Sequence, residues 1–125
     1  MMMYTDSSRG LNFAKDPAVV RFHDEYFMYY TLSPGKIEPA VWGIGIARSR
    51  DMENWEKAGE IEPEGELESL GICAPGAMVY EGKVHLFYQT YGRFERDAIC
   101  HAWSEDGIHF VRNETNPILR AEGDW

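Results

Sequence analysis

The sequence predicts an all-β chain that contains two β-propeller blades, each a four-stranded antiparallel sheet. Two observations carry this prediction. An apolar segment that runs from Pro17 to Tyr30 reappears from Pro75 to Tyr88, and both 75 − 17 and 88 − 30 give an offset of 58 residues. No segment shows a helical pattern with caps. A long fixed period indicates stacked supersecondary units, and four-stranded units of this size are typical of propeller blades.

The first blade is expected at about residues 15–62 and the second at about 72–119, so that residues 1–125 form part of one propeller domain. Apolar and aromatic runs favour strands, and the polar or Gly-containing turns between them favour hairpins. In the first blade the predicted strands are 17–22, 26–31, 42–47 and 55–61.

The third predicted strand alternates large residues with glycine. This period of two places Trp42, Ile44 and Ile46 on one face of the sheet. The glycines leave the other face without side chains, so we expect a neighbouring sheet to approach closely there. In an isolated pair of blades the large residues should lie on an uncovered flank. The chain is therefore expected to form a homo-oligomer through open blade faces.

Charge and hydropathy restrict the ligand classes. The chain has 21 acidic and 12 basic side chains and a net charge of −9. This balance argues against nucleic acid and anionic membrane as partners, because both require clustered Lys and Arg. No stretch approaches the roughly 20 apolar residues that span a bilayer. The N-terminus lacks the apolar segment of a signal peptide, so a cytoplasmic location is expected.

Metal and cofactor sites are not predicted. Cys73 and Cys100 have no metal or redox spacing, and the four histidines lie on separate predicted elements. Cys100 lies within a predicted strand and is expected to be a small buried residue. The repeated Ser-x-Asp turns at 49–55 and 104–110 are interpreted as scaffold, because Ser and Asp side chains bond the backbone of their own turns.

An ordered set of motifs resembles the five-bladed propeller glycoside hydrolases, family 43 most closely, with families 32, 62, 68 and 117. The set is Asp-Pro before an apolar strand, Tyr-Phe-Met-Tyr-Tyr-Thr, Ser-x-Asp-x-x-x-Trp, and Ala-Pro at the next unit; it covers about residues 15–119. The resemblance implies that Asp16 is catalytic, as general base of an inverting reaction or, as in families 32 and 68, as nucleophile. Without the resemblance the residues favour a structural strand cap, because Asp-Pro is a common turn dipeptide.

The second blade departs from the family pattern. It opens with Cys-Ala-Pro-Gly, where family 43 often has Trp-Ala-Pro-Asp or Trp-Ala-Pro-Glu, so Gly76 lacks a side chain that could touch substrate. The resemblance places two further acidic groups in later blades, so little glycosidase activity is expected from this chain alone. Glu38, Glu95 and Asp97 lie in loops on the pocket side and are predicted to be solvated charges.

Substrate contacts are predicted in the same loops. A stacking ring and hydrogen-bonding groups suited to sugars are supplied by Trp42, Gln89, Tyr91 and Arg96. The resemblance implies hydrolysis of O-glycosyl bonds in a plant or algal oligosaccharide or polysaccharide, with arabinose, xylose or galactose units. Two alternatives stay open: a non-catalytic carbohydrate-binding or assembly module, and an inactive fragment of a glycosidase.

Overall fold

A computed structural model describes residues 4–92 and 94–123 and confirms the all-β prediction. The first of its two antiparallel sheets has the strand order β1-β2-β3-β4. Its strands are β1 (Lys15–Phe22), β2 (Glu25–Leu32), β3 (Gly43–Ser49) and β4 (Glu56–Ile61). The ends of the predicted 1–125 domain lie outside the described residues. Within those residues no helix is long and apolar enough to cross a bilayer.

The second sheet differs from the prediction in its outer edge. Its strands are β5 (Ile72–Tyr80), β6 (Lys83–Thr90), β7 (Ala98–Ser104), β8 (Val111–Arg112) and β9 (Leu119–Arg120). Both β8 and β9 pair with β7, at its two ends. The Asn116 side chain bonds both the N–H and the C=O of His101 at 2.9 Å, in the middle of β7. The fourth strand is therefore divided, because the Asn116 side chain takes the place of a backbone acceptor for the His101 N–H.

The main core lies between the two sheets. Ile44 and Ile46 are fully buried in one cluster with Leu86 and Tyr88 of the second sheet. The expectation that they lie on an open flank is therefore wrong, because the second blade covers that side. Cys73 and Cys100 are buried free cysteines, as expected for Cys100. In the described ranges no three His, Cys, Asp or Glu side chains are grouped to hold a metal ion.

The glycine face of β3 is not covered by a neighbouring sheet, and that expectation is corrected. Gly45 lies opposite Tyr30 on the adjacent strand of the same sheet. A Cβ atom at Gly45 would overlap the Tyr30 ring, which is itself fully buried. The missing side chain thus makes room for a cross-strand aromatic ring.

We expect Gly45→Ala to lower the free energy of unfolding by about 2–3 kcal/mol, because the added methyl group forces the buried Tyr30 ring to move. Urea denaturation measures this change. The matched control is Gly76→Ala, where an added Cβ meets nothing closer than the Phe87 carbonyl oxygen at 3.9 Å. Equal losses in the two variants would contradict the steric explanation.

The outer face of the first sheet is covered by residues 4–13, which we call the N-terminal clasp. Tyr4 packs on the outer cluster that contains Met28 and Leu32, both nearly buried. Asp6 is 2% exposed and accepts hydrogen bonds from the Tyr30 hydroxyl at 2.6 Å and from Lys57 Nζ at 2.9 Å. The clasp therefore joins β2 and β4 across the outer face.

A second ion pair fastens the other end of the clasp. Arg9 is 4% exposed, contacts Glu60 at 2.9 Å and donates to the carbonyl oxygens of Ser33 and Val41 at 3.2 and 2.9 Å. Burial opposes ionisation of Asp6, but hydrogen bonds from Lys57 and other donors outweigh it and lower its pKa to about 2. Since the folded pKa is depressed, this contribution to stability is present above about pH 4 and is lost as the pH falls towards 2.

The linker between the blades is held by a buried carboxylate. Glu68 is 3% exposed and accepts hydrogen bonds from Tyr88 Oη and Arg112 Nη2, both at 2.8 Å. Arg112 Nη2 also donates to the Glu62 carbonyl oxygen at 2.7 Å. The connection from β4 to β5 is thereby fixed against β6 and β8.

The two Ser-x-Asp turns are scaffold, as expected. Ser49 Oγ accepts the backbone N–H of Met52 at 2.9 Å, and Asp51 Oδ1 accepts that of Asn54 at 2.7 Å. Ser104 and Asp106 form the same pattern in the second blade. These hydrogen bonds lower the pKa of both aspartates. Both carboxylates thus accept hydrogen bonds within their own turns.

Candidate functional site

The candidate site residues lie at one end of the two sheets. Asp16 is the second residue of β1 and Cys73 is the second residue of β5. Gln89, near the end of β6, pairs with Cys73 across the ladder. Trp42 directly precedes β3 and bridges to Gly71, just before β5. The starts of the first strands and the ends of the second strands meet at this end, as expected for antiparallel blades.

Asp16 has an unusual backbone conformation that its counterpart in the second blade shares. Its φ is 55°, and Ala74, which is 58 residues later, has a φ of 50°. Both residues lie at an interruption of the ladder, between Lys15 and Ala18 and in the matching place of β5. Such a conformation costs a non-Gly residue about 1–3 kcal/mol and is concentrated at functional sites. The repeat therefore duplicates the backbone feature, but the first copy alone carries a carboxylate.

Thr31 fixes the carboxylate of Asp16. Its hydroxyl donates to Asp16 Oδ2 at 3.0 Å and accepts the backbone N–H of Ala74 at 2.8 Å. Thr31 is 2% exposed, whereas Asp16 is exposed. Because the Ala74 N–H approaches the hydroxyl oxygen, the hydroxyl hydrogen is directed towards Asp16. One buried side chain thus links the openings of the two blades and orients an accessible carboxylate.

Asp97 is held by a second arrangement of the same kind. Thr90 Oγ1 donates to Asp97 Oδ1 at 3.2 Å and accepts the N–H of Ala98 at 2.9 Å. Burial raises the pKa of the Cys73 thiol, and the nearby charges of Asp16 and Asp97 raise it further. The negative charges of both carboxylates therefore favour the protonated form of this thiol. The prediction that Asp97 is a solvated loop charge does not include this hydrogen bond from Thr90, and the sequence signal for it is the Thr and the Asp-Ala pair that flank the loop.

Two of the predicted substrate-binding residues are in ring contact. The centroids of the Trp42 and Tyr91 rings lie 5.5 Å apart, and the Phe13 ring contacts Trp42 edge-on at 5.7 Å. Tyr91 is 44% exposed and Trp42 is half-buried. The N–H of Tyr91 bonds the Gly71 carbonyl oxygen at 2.9 Å, which fixes its position. Phe13 comes from the N-terminal clasp, and the sequence offered no signal that it joins this cluster.

The other two predicted contacts are placed separately. Gln89 lines a cavity of about 260 Å³ with Asp97 and Leu119. Arg96 is exposed in the 3₁₀ turn Phe94–Arg96. Among the residues that the structure describes, no hydrogen bond or ring contact joins Arg96 to Trp42, Gln89 or Tyr91. The loop residues Glu38 and Glu95 are exposed.

A cavity of about 840 Å³ lies at the opposite end of the first sheet, among the turns of Asp24, Asp51 and Trp55. The carboxylate of Asp51 already caps its own turn, and the Trp55 indole donates to the Met52 carbonyl oxygen at 3.0 Å. We therefore place the candidate site at the Asp16 end.

Comparison with known proteins identifies related folds. Residues 10–124 match the family described as "Glycosyl hydrolases family 32 N-terminal domain". The chain is similar to a family 117 glycoside hydrolase from the marine bacterium Zobellia galactanivorans, with 17% identity and a TM-score of 0.76 over 99% of this chain and 38% of that one. It is also similar to a sucrose-6-phosphate hydrolase from Lactobacillus gasseri, with 23% identity and a TM-score of 0.74 over 87% of this chain and 24% of that one.

A thermostable family-43 glycoside hydrolase matches at 20% identity with a TM-score of 0.71, over 92% of this chain and 41% of that one. At these identities the likeness shows the fold, which is that of β-propeller blades. The chain spans about two fifths or less of the length of each of these three proteins.

Proposed function

The chain belongs to the glycosyl hydrolase family 32 N-terminal domain family, and from this premise we propose that it forms the part of a glycosidase pocket that carries the catalytic carboxylate, Asp16. The observation that supports this proposal is the arrangement around Asp16. A positive φ and the Thr31 hydrogen bond hold an exposed carboxylate at the end of the sheets where the candidate site residues lie. Groups that are oriented in this way before the substrate arrives are typical of catalytic sites.

Two chemical roles are compatible with this carboxylate. As general base, it would deprotonate a water molecule that attacks the anomeric carbon with inversion. As nucleophile, it would attack that carbon itself, with net retention. Two carboxyl groups are required in both cases, about 6.5–9.5 Å apart for inversion and about 5–5.5 Å apart for retention. The resemblance to family 43 favours the general base, whereas membership of family 32 favours the nucleophile. The anomer first released, observed by ¹H NMR, distinguishes the two roles.

The proposed substrate is a plant or algal oligosaccharide. The Trp42 and Tyr91 rings offer a stacking surface for a sugar ring, and Gln89 and Arg96 offer hydrogen bonds. Arabinose, xylose and galactose units stay in the proposal. Membership of family 32 adds fructosides to the proposed substrates, because one of the similar proteins is named a sucrose-6-phosphate hydrolase. The net charge of −9 argues against nucleic acid and anionic membrane as partners, so neither is part of the proposal. A cytoplasmic location stays a prediction.

A non-catalytic carbohydrate-binding module is the second candidate. This candidate is favoured because the chain spans only 38% of the length of the family 117 enzyme. The aromatic rings that could bind a sugar lie on this chain, whereas the resemblance places the further acidic groups of the family in later blades. Binding without hydrolysis, and with an affinity that Asp16→Asn leaves unchanged, would select this candidate.

We expect Tyr91→Ala to weaken oligosaccharide binding about fivefold, because a stacking partner worth about 1 kcal/mol is removed. Saturation-transfer NMR with arabino-, xylo-, galacto- and fructo-oligosaccharides measures the affinity. The matched control is Tyr80→Ala, since Tyr80 is 56% exposed but lies at the hairpin end of β5. If none of the four sugars binds the chain, the proposed function is wrong.

A further inference from the structure

We propose that Thr31 is a positioning residue that holds one carboxylate oxygen of Asp16, Oδ2, and thereby makes the other oxygen, Oδ1, the reacting atom of the site. This inference rests on the proposed function, in which Asp16 is the catalytic carboxylate, and it goes further by assigning the oxygen that reacts. The second blade takes part as well, because the Thr31 hydroxyl is bonded to Asp16 of the first blade and to Ala74 of the second.

Thr31 lies on the face of β2 that is directed towards the second sheet. Side chains alternate along a strand, and Tyr29 belongs to the core between the sheets, whereas Tyr30 belongs to the outer cluster. Thr31 is opposite Lys15 on β1 and is 2% exposed. The next residue of β1, Asp16, begins the interruption of the ladder, where an extra residue changes the direction of the side chains. This bulge brings the Asp16 carboxylate to the Thr31 hydroxyl.

The direction of the hydroxyl hydrogen follows from the two partners of Thr31. The backbone N–H of Ala74 can only donate, and it lies 2.8 Å from Thr31 Oγ1, which therefore accepts. A threonine hydroxyl has a single hydrogen, and Asp16 Oδ2 at 3.0 Å is its acceptor. Because Thr31 is β-branched, few rotamers are open to it and Oγ1 is held in place. Thr31 is thus a fixed donor to one oxygen of the carboxylate.

The other oxygen of Asp16 is accessible. No described residue donates a hydrogen bond to Oδ1, and the side chain is exposed. Since Oδ2 is turned towards a buried donor, Oδ1 lies on the side that a sugar or a water molecule can reach. The hydroxyl and both of its partners belong to the described part of this chain, so the arrangement does not depend on a further blade.

The assignment of Oδ1 is consistent with both chemical roles of Asp16. As general base, Oδ1 takes a proton from a water molecule whose oxygen bonds to the anomeric carbon. As nucleophile, Oδ1 itself bonds to that carbon, and water later cleaves the resulting ester. In both cases the glycosidic C–O bond breaks and its electron pair stays on the leaving oxygen. That oxygen takes a proton from the second carboxyl group that glycoside cleavage requires.

The Thr31 hydrogen bond can persist through the reaction. Once Oδ1 has bonded to a proton or to carbon, Oδ2 is the carbonyl oxygen of a carboxylic acid or an ester, and a carbonyl oxygen still accepts a hydrogen bond. The donor therefore needs no reorientation when the charge moves, as expected of a preorganised group. Loss of the hydroxyl should consequently lower kcat more than it changes KM.

Thr90 provides a matched comparison in the second blade. It is fully buried, accepts the N–H of Ala98 at 2.9 Å and donates to Asp97 Oδ1 at 3.2 Å. A valine at either threonine leaves a backbone N–H without its acceptor. Because the N–H of Ala98 is buried, Thr90→Val should cost at least as much stability in urea denaturation as Thr31→Val. Only Thr31→Val removes the donor to Asp16.

NMR on the isotopically labelled 125-residue chain measures the orientation of the Asp16 side chain. Three-bond couplings from its Cγ to the backbone N and C′ atoms give the populations of its χ1 rotamers. We expect one dominant rotamer in the wild type, in Thr90→Val and in Thr31→Ser, which keeps the hydroxyl, but at least two rotamers in Thr31→Val. Averaged couplings in the wild type or in Thr31→Ser, or equal couplings in Thr31→Val and the wild type, overturn the proposal.

The kinetic test uses an active glycosidase that contains this sequence. Thr31→Val should lower kcat at least about tenfold and change KM less than about threefold, whereas Thr31→Ser should keep kcat within about threefold of wild type. A wild-type kcat in Thr31→Val, together with a large loss in Asp16→Asn, overturns the positioning role but not the proposed function. A wild-type rate in Asp16→Asn overturns the proposed function and with it the reacting oxygen, while the couplings still decide whether Thr31 orients this side chain.

Discussion

If the proposed function is right, Asp16→Asn is expected to lower glycoside hydrolysis by several orders of magnitude in any active glycosidase that contains this sequence. Neither a general base nor a nucleophile can be replaced by a neutral amide of the same shape. Three orders of magnitude correspond to about 4 kcal/mol of transition-state stabilisation. Reducing-sugar release from an oligosaccharide measures kcat/KM. The variant should fold normally, because Asn tolerates positive φ values as Asp does.

The control is Asp24→Asn. Asp24 also has a positive φ, of 62°, but its side chain is exposed in the β1–β2 turn, at the opposite end of the sheet. This variant should keep the wild-type rate. A rate for Asp16→Asn within about tenfold of wild type, which is about 1.4 kcal/mol, would assign Asp16 a structural role instead.

Arg112→Met is expected to lower the free energy of unfolding by about 3–5 kcal/mol. The substitution removes the cation that lies 2.8 Å from Glu68 and leaves a carboxylate that is 3% exposed without a counter-charge, with the Tyr88 hydroxyl as a neutral donor. Removing one member of a buried ion pair is strongly destabilising, because the remaining charge stays desolvated. Urea denaturation at pH 7 measures the loss.

Arg48→Met is the matched control for that variant. Arg48 contacts Glu56 at the same distance of 2.8 Å, but the two side chains are 43% and 69% exposed. Its loss should therefore cost no more than about 1 kcal/mol. The double variant Arg112→Met with Glu68→Leu should recover part of the stability, since no unpaired charge remains. Similar losses in the two single variants would show that burial does not determine the contribution of Arg112.

The strands could be predicted from sequence because their signals are local. The alternation in 42–47 and the repeated aromatic segments depend on side chains a few residues apart, and the structure has strands there. The interruption of the fourth strand of blade two could not be predicted in the same way. It arises because one amide, Asn116, reaches the backbone of His101, and nothing in the local pattern distinguishes that Asn from a turn residue.

The arrangement of the candidate site residues could be predicted only in part, for the same physical reason. The resemblance indicated Asp16 by position, and the rings of Trp42 and Tyr91 do meet. The support for Asp16 could not be predicted, because Thr31 acts through an amide of the other blade, 43 residues away in the chain. The prediction that a neighbouring sheet covers the glycine face of β3 is wrong. A glycine that makes room for an aromatic ring and one that makes room for a backbone cannot be distinguished in the sequence.

The N-terminal clasp also determines when the first blade can be completed during synthesis. Arg9 and Glu60 are 51 residues apart in the chain. At about 5–20 residues per second, a ribosome needs about 3–10 s to add the segment between them. The clasp leaves the ribosome before every strand of the sheet that it covers, yet it reaches its final position only after β4 has emerged. During those seconds the clasp cannot yet cover Met28 and Leu32, so this apolar surface of the nascent chain stays available to incorrect partners.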